Sequence, residues 1–225
     1  MENLDVVVSL TTWKNRINEP TLPKILYVLL NQNTQYNYKV VLVLSREEFG
    51  DDYQLPEILD LLQEHQRFEI LWTYKNTKAL KKLNPTMEKY PDVPIITLDD
   101  DILVEKDTVE KMMKEHKQTP NYILGNICGI YNGIMRVAYI RLFPPHSLAD
   151  IPDDYFIEYF GAFHDDEWNG IRAKLKKTPM RRLNCKISLN ANYGSQRCCF
   201  RNSYRKFNFK VAYAKFIKEH PEYKS

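Results

Sequence analysis

Two short acidic clusters contain the residues best suited to chemistry. Asp99, Asp100 and Asp101 end the apolar run IITLDDDI at 95–102, and the stretch HDDEW lies at 164–168. Adjacent carboxylates repel one another, and Mg²⁺ or Mn²⁺, which favour carboxylate and phosphate oxygens, would neutralise them. If the strand continues, Asp99 and Asp101 share a side and Asp100 faces away. The alternative is a solvated acidic turn.

The cluster at 164–168 offers a general base. Asp165, Asp166 and Glu167 are adjacent, and a base needs a tuned pKa and hydrogen-bond reach to a hydroxyl proton. The same residues suit a helix N-terminus, where carboxylates interact favourably with the backbone dipoles, so a structural role is the alternative. His164 is a weaker candidate for a second base or a metal ligand.

Polar groups that suit a nucleobase, a ribose or a phosphate lie nearer the N-terminus. Thr11, Thr12 and Arg16 directly follow or end an apolar run. Three lysines precede the aspartates: Lys78, Lys81 and Lys82. The first and last of these lysines share one face of a predicted helix, and a solvated helix face is the alternative to a binding role.

The elements that must position these groups alternate between strand and helix over residues 1–118. Apolar, β-branched runs predict strands at 4–10, 38–45, 67–73 and 93–102. Periodic apolar residues predict helices at 21–32, 55–65, 80–90 and 106–117, the third capped by Thr77 and kinked or shortened at Pro85. Such alternation predicts a mostly parallel sheet with helices on both faces and a ligand crevice beyond the carboxyl ends of the strands. The threonines after the first strand are therefore expected to face the aspartates after the fourth.

The pattern changes after residue 120. Two apolar runs flank Tyr131-Asn132-Gly133, and Asn-Gly predicts a β-hairpin. A loop is predicted at 144–154, a helix from HDDEW onwards, and a last helix at 211–220.

The charge of the chain is unevenly distributed. Its 225 residues have a net charge of +3, yet the segment from Trp168 to Lys218 contains fourteen Lys and Arg and no Asp or Glu. This basic C-terminal extension suits phosphates, nucleic acid or an anionic membrane. The chain shows no basic leader and no apolar run of membrane-spanning length, and its four cysteines suit free thiols, so we expect a cytoplasmic protein.

Three segments, VSLTTWKNRI, KALKKLNPTMEKYPDVPIITLDDDI and HDDEWNGI, together resemble glycosyltransferases of the GT-A fold. The likeness is to bacterial surface-polysaccharide enzymes related to glycosyltransferase family 2, and it runs from about residue 5 to about residue 175. It implies an α/β, Rossmann-like fold with a mostly parallel sheet, helices on both faces and a small β-hairpin. No linker indicates a second domain, so we expect one domain over 1–225, in which by resemblance 1–118 bind a nucleotide sugar and 119–225 bind the acceptor.

The resemblance also implies roles for individual residues. Asp99 resembles the first Asp of the Asp-X-Asp motif, near the donor ribose or the metal, and Asp101 resembles the metal-binding Asp. Asp166 or Asp165 falls where inverting members of the family carry the base. The residues expected to bind the donor are Thr11, Thr12, Arg16, Lys82, Asp99 and Asp100.

The expected reaction is a Mn²⁺- or Mg²⁺-dependent transfer of sugar from a nucleotide sugar, by resemblance a UDP-sugar, to a saccharide or lipid-linked saccharide. The ring of Trp168 or of a tyrosine would form an apolar face for the acceptor sugar. One alternative is a metal-dependent nuclease or nucleotidyltransferase, and another is a nucleic-acid-binding module built on the basic, aromatic stretch at 198–210. That stretch has no recognised nucleic-acid motif, so nucleic acid is not expected as a partner.

The basic extension also predicts where the protein acts. Its charges would hold the enzyme at the anionic inner face of a membrane, because each Lys or Arg near such a surface contributes about 1 kcal/mol. Four aromatic residues would settle at the interface: Tyr204, Phe207, Phe209 and Tyr213. The alternative is that many of these charges pair with the acidic remainder of the chain.

Overall fold

The computed structural model describes residues 3–189 and 207–224. The strands of its main sheet are β1 (Val6–Thr11), β2 (Tyr38–Ser45), β3 (Phe68–Thr73), β4 (Ile95–Thr97), β6 (Ile123–Tyr131), β7 (Ile134–Phe143) and β8 (Met180–Arg182). A second, two-stranded sheet consists of β5 (Ile102–Val104) and β9 (Ile187–Leu189). The helices are α1 (Thr21–Leu30), α2 (Arg46–Phe49), α3 (Glu57–Leu62), α4 (Asn84–Lys89), α5 (Thr108–Gln118), α6 (Asp153–Phe160), α7 (Asp165–Lys176) and α8 (Phe209–Glu219), with 3₁₀ turns at Lys78–Lys82 and Pro221–Tyr223.

The main sheet is mostly parallel, as predicted. Its strand order is β3-β2-β1-β4-β7-β6-β8. The first four strands in that order run parallel, β7 runs antiparallel to its neighbours β4 and β6, and β8 is parallel to β6. The carboxyl ends of β1 and β4 therefore lie side by side at one edge of the sheet.

Burial on both faces explains why the first strands are apolar throughout. Alternate residues of a strand point to opposite faces. In β1, Val6 and Val8 pack in one core cluster with residues of α1 and α5, whereas Val7 packs in another with Leu83 and Met87. Helices therefore cover both faces of the sheet. None of the helices in the described ranges is long and apolar enough to cross a membrane.

The predicted hairpin is confirmed. β6 and β7 pair antiparallel from Tyr131↔Ile134 to Leu124↔Leu142, with an irregularity between Gly125 and Ile127. The turn residues Asn132 and Gly133 have φ angles of 52° and 83°. Positive φ at both central positions is what the tightest hairpin turns require, and Asn and Gly tolerate it best.

Several element boundaries differ from the sequence-based prediction. The fourth strand ends at Thr97, so it does not continue through the aspartates. The helix expected at 80–90 is divided into a 3₁₀ turn and α4, and Pro85 lies in the first turn of α4, where a missing N–H costs nothing. Thr77 precedes the 3₁₀ turn but its side chain makes no capping hydrogen bond there.

A second aromatic core was not predicted. α6, which falls partly in the expected loop, packs with α7 and α8 around Phe156, Phe160, Trp168 and Phe216, all fully buried. Trp168 therefore cannot form the face for an acceptor sugar, and that prediction was wrong. Phe209 is also buried in this cluster, so it cannot settle at a membrane interface. The prediction for Tyr204 concerns a residue outside the described ranges.

Candidate active site

The three aspartates form a turn at the carboxyl end of β4. The Leu98 N–H donates to the Ser9 carbonyl (3.2 Å), which extends the pairing with β1 by one residue. The Ile102 N–H then donates to the Asp99 carbonyl (3.3 Å) and closes a turn over the next two aspartates. Because the strand has ended, the expected alternation does not apply, and Asp100 does not face away from the crevice.

Asp100 is bound by the residues that follow β1. Thr12 Oγ1 donates a 2.6 Å hydrogen bond to Asp100 Oδ2, and the Arg16 guanidinium pairs with Asp100 Oδ1. Arg16 Nη1 also lies 3.5 Å from Asp101 Oδ2. Burial raises the pKa of Asp100 although Arg16 and Thr12 oppose this shift. The structure thus brings Thr12 and Arg16 to an aspartate more than eighty residues away in sequence. Thr11 makes a different contact and donates to the Val43 carbonyl (2.7 Å).

Lys82 links the first aspartate to the second acidic cluster. Its Nζ lies 2.6 Å from Asp99 Oδ1 and 3.2 Å from Asp165 Oδ2. Lys82 is 3% exposed and Lys81 is 1% exposed, so these two do not form a solvated helix face. Burial alone would raise the pKa of Asp99, but Lys82 and Arg141 together lower it to about 2. Asp99 is therefore ionised at neutral pH.

Arg141 is a central residue that the sequence analysis missed. It lies in β7, its Nη2 is 2.5 Å from Asp166 Oδ1, and its Nη1 is 3.8 Å from Asp99 Oδ1 and 3.9 Å from Asp165 Oδ2. Its side chain is 4% exposed. An arginine inside the apolar strand VAYIRLF was the available signal, because a buried guanidinium requires carboxylate or other hydrogen-bond partners.

Asp166 has a pKa near neutrality. Arg136 Nη1 donates a 2.7 Å hydrogen bond to its Oδ2, while Arg141 faces Oδ1. Burial raises the pKa of Asp166 to about 7; Arg141 opposes the shift, and the charges of Asp165 and Asp99 add to it. A carboxylate with this pKa accepts and releases a proton readily near pH 7, which is what a general base must do.

The other residues of the second cluster have different surroundings. Asp165 and Glu167 are buried, and Glu167 Oε1 lies 3.4 Å from His164 Nδ1 and 3.8 Å from Arg136 Nε. His164 precedes α7 in a left-handed conformation with φ of 65°. The acidic residues do begin a helix, which was the alternative to a catalytic role, but Asp166 also reaches the crevice at the strand ends.

Two pockets meet at this cluster. The strand-end pocket, of about 440 Å³, lies beyond β1 and β4 and is lined by Thr11, Thr12, Trp13, Arg16, Glu48, Asn76, Lys78, Ala79, Lys81, Lys82 and the three aspartates. The hairpin pocket, of about 930 Å³, is lined by residues of β6, β7 and the 207–210 segment and by His164 and Glu167. Four residues line both pockets and are called the junction residues: Asp99, Arg141, Asp165 and Asp166.

The aspartates suit a cation only in part. Among residues 3–189 and 207–224, no group of three or more His, Cys, Asp or Glu forms a metal site by itself. Asp99 and Asp101 nevertheless line the same pocket, with 34% and 27% of their side chains exposed. Burial and the charge of Asp99 raise the pKa of Asp101 although Arg16 opposes this, and a cation would relieve that repulsion. The donor set suits an ion that phosphate oxygens help to hold.

Comparisons with known proteins agree with the fold described above. The solved structure of S. aureus TarS 1-349 in complex with UDP has a TM-score of 0.56 and 13% identity, with 81% of this chain and 59% of that chain covered. TarS 1-349 in complex with UDP-GlcNAc gives a TM-score of 0.52 and 12% identity, covering 81% and 57%. The structure of 4-diphosphocytidyl-2C-methyl-D-erythritol synthase gives 0.50 and 10%, covering 81% and 90%. The chain thus has the GT-A fold and spans 59% of the TarS 1-349 structure.

The family model for glycosyl transferase family 2 matches residues 10–178. The chain therefore belongs to glycosyl transferase family 2, and the predicted family is confirmed. A comparison with curated protein sequences found no significant match. Family membership favours glycosyl transfer over the nuclease, nucleotidyltransferase and nucleic-acid-binding alternatives.

The raised pKa of Asp166 predicts a pH dependence of stability. The pKa of Asp166 is about 7 in the folded protein, against 3.8 for an ordinary Asp. Between these values the folded protein binds a proton that the unfolded chain has released, so the free energy of unfolding falls as pH rises from about 4 towards 7. Asp166→Asn should remove this part of the slope in urea unfolding, whereas Asp52→Asn, an exposed control, should keep it. An unchanged slope in Asp166→Asn would contradict the assignment.

Proposed function

We propose that the protein transfers a sugar from a nucleotide-sugar donor in the strand-end pocket to an acceptor hydroxyl in the hairpin pocket. The single observation that carries this proposal is that both pockets share the junction residues. A group that moves from one ligand to another must pass where their pockets meet, and Asp166 lines both. The TarS structures in complex with UDP and with UDP-GlcNAc support a uridine nucleotide as the donor.

The donor's charges would face a set of cations in the strand-end pocket. Arg16, Lys78, Lys81 and Lys82 line it, and they would attract a diphosphate. Trp13 lines the same pocket and presents a ring suited to a nucleobase. Thr11 and Thr12 lie at the carboxyl end of β1, where ligands of open α/β sheets bind. We assign this half of the chain, 1–118, to the donor and the remainder to the acceptor.

The transfer itself is a displacement at the anomeric carbon of the donor sugar. The acceptor oxygen forms a bond to that carbon, the bond from the carbon to the diphosphate oxygen breaks with its electron pair leaving on the diphosphate, and the hydroxyl proton goes to Asp166. The sugar passes through an oxocarbenium-like state. Asp165 is the second candidate for the base, because Lys82 Nζ lies 3.2 Å from its Oδ2 and so occupies that oxygen.

Asp166→Asn tests the base. It should preserve UDP binding, measured by calorimetry, and lower sugar transfer from UDP-GlcNAc by roughly 10²–10⁴-fold, the usual contribution of a general base. In the parent protein, the rate should fall as pH drops below about 7, because Asp166 becomes protonated. The matched control is Asp52→Asn. Normal transfer by both Asp166→Asn and Asp165→Asn would mean that the cluster only begins a helix.

A divalent cation, Mn²⁺ or Mg²⁺, would be held by Asp101 and Asp99 together with the diphosphate. When bound, it would neutralise the charge of the leaving diphosphate. Asp101→Ala should weaken Mn²⁺ binding in the presence of UDP, measured by calorimetry, and lower Mn²⁺-dependent transfer, while Asp52→Ala should change neither. Parent-like Mn²⁺ affinity in Asp101→Ala, or full activity in excess chelator, would exclude this role.

The acceptor is proposed to be a saccharide or a lipid-linked saccharide that the protein meets at an anionic membrane surface. The basic extension supports this, since it carries fourteen Lys and Arg without an acidic residue between Trp168 and Lys218. The protein should co-sediment with anionic but not neutral vesicles at low salt, and high salt should release it. Arg205→Glu with Lys206→Glu should weaken binding. Absence of binding to anionic vesicles at low salt would point to an acceptor away from membranes.

A further inference from the structure

Asp166 has an arginine at each of its carboxylate oxygens. Arg141 Nη2 lies 2.5 Å from Oδ1, and Arg136 Nη1 donates a hydrogen bond of 2.7 Å to Oδ2. The Asp166 side chain keeps only 15% of its surface exposed. An acceptor hydroxyl that gives its proton to Asp166 must come within hydrogen-bond distance of one of these oxygens. Oδ1 is buried, so an incoming hydroxyl must reach Oδ2, where Arg136 occupies one of the accepting positions.

The two arginines are held with different strength. Arg141 is 4% exposed and lies within 4 Å of two further carboxylates, those of Asp99 and Asp165. Arg136 is 23% exposed, and its other carboxylate contact among the described residues is a longer one, 3.8 Å from Nε to Glu167. Moving Arg141 would leave several buried charges uncompensated, which is costly, whereas moving Arg136 disturbs one close ion pair.

The hairpin pocket has space into which the Arg136 side chain can move. Arg141 lines both pockets, but Arg136 lines only the hairpin pocket, on the side where the acceptor is proposed to bind. Its partner across the hairpin is Gly129, and directly opposed residues lie on the same face. A Cβ at Gly129 would meet no atom within 4 Å, so the space beside Arg136 is open. The Tyr131 ring, 4.4 Å from the guanidinium, supports it on another side.

We propose that Arg136 is a removable cover on the base: it occupies Asp166 Oδ2 until an acceptor hydroxyl enters the hairpin pocket and takes its place. This inference rests on the proposed function. A saccharide can displace Arg136 because it makes further contacts in a pocket of about 930 Å³, whereas a lone water molecule cannot. Arg136 therefore selects acceptor over water and protects the bound donor.

Loss of the cover should expose the donor to hydrolysis. In that reaction the water oxygen bonds to the anomeric carbon, the carbon–diphosphate bond breaks with its electron pair on the diphosphate, and the water proton goes to Asp166. Arg136→Met keeps an unbranched side chain about as long as the aliphatic part of arginine but removes the guanidinium. Arg181→Met is the matched control, because Arg181 also pairs with a carboxylate, Glu115 at 3.0 Å, but lines neither pocket.

The first measurement requires no turnover. Carboxyl groups are labelled with a water-soluble carbodiimide and glycine ethyl ester near pH 6, and the label at Asp166 is read by mass spectrometry. Asp166 should react roughly tenfold faster in Arg136→Met than in the parent, a difference that corresponds to about 1.4 kcal/mol. Arg181→Met should match the parent. Equal labelling of Asp166 in all three proteins would overturn the proposal whether or not the donor class is correct.

The second measurement is hydrolysis of UDP-GlcNAc without acceptor, at saturating donor. Arg136→Met should hydrolyse it several-fold faster than the parent, and Arg136→Lys, which keeps the charge with a single donor group, should fall between them. A residue that merely held Asp166 in place would lower hydrolysis and transfer together. That result, in a variant whose melting temperature equals the parent's, would contradict the proposal. Faster labelling without any UDP-GlcNAc turnover in the parent would contradict the proposed donor and leave the cover supported.

Discussion

The site depends on the balance of buried charge between three carboxylates and the two cations that separate them. Lys82 and Arg141 lie among Asp99, Asp165 and Asp166, and each is almost fully buried. Removing either cation would leave ionised carboxylates facing one another in a poorly hydrated space, which is strongly destabilising. The end of β4, the start of α7 and the C-terminal part of β7 are thus held at one point by complementary charge.

The surrounding packing brings these charges together. Gly170 lets α7 approach β7, since a Cβ there would lie 2.3 Å from the Met135 carbonyl oxygen. Farther along the same helix, Arg172 donates to the Asn84 side chain (2.7 Å) and to the Ala149 carbonyl (2.9 Å). Because Asn84 follows Lys82 by two residues, this bond ties α7 to the segment that carries Lys82. The position of Asp166 relative to Lys82 is therefore fixed by contacts outside the pockets.

The local sequence pattern was sufficient to predict most of the sheet and the two acidic clusters. It was not sufficient to predict the basic residues that contact those clusters. Strands such as 38–45 were predicted to the residue because an apolar, β-branched run has one satisfactory environment, a sheet buried on both faces. The end of β4 was not predicted correctly, because the turn that follows it is held by Thr12 and Arg16, which are far away in sequence. Arg136 and Arg141 were missed for the same reason: strand alternation does not reveal which carboxylate a basic side chain will meet.

The fold alone does not determine the chemistry, because the same architecture occurs in TarS and in a methylerythritol synthase at similar TM-scores. The feature that bears on the chemistry of this site is the difference in pKa between two of its carboxylates. Burial raises the pKa of both, but Lys82 and Arg141 lower that of Asp99 to about 2, whereas the charges of Asp165 and Asp99 help to raise that of Asp166 to about 7 although Arg141 opposes this. The first stays ionised and suits a fixed charge beside a cation or a ribose, whereas the second can gain and lose a proton. In the proposed reaction, one acidic site would thereby supply both an electrostatic partner for the donor and a base for the acceptor, and Arg141 of β7 contacts both carboxylates.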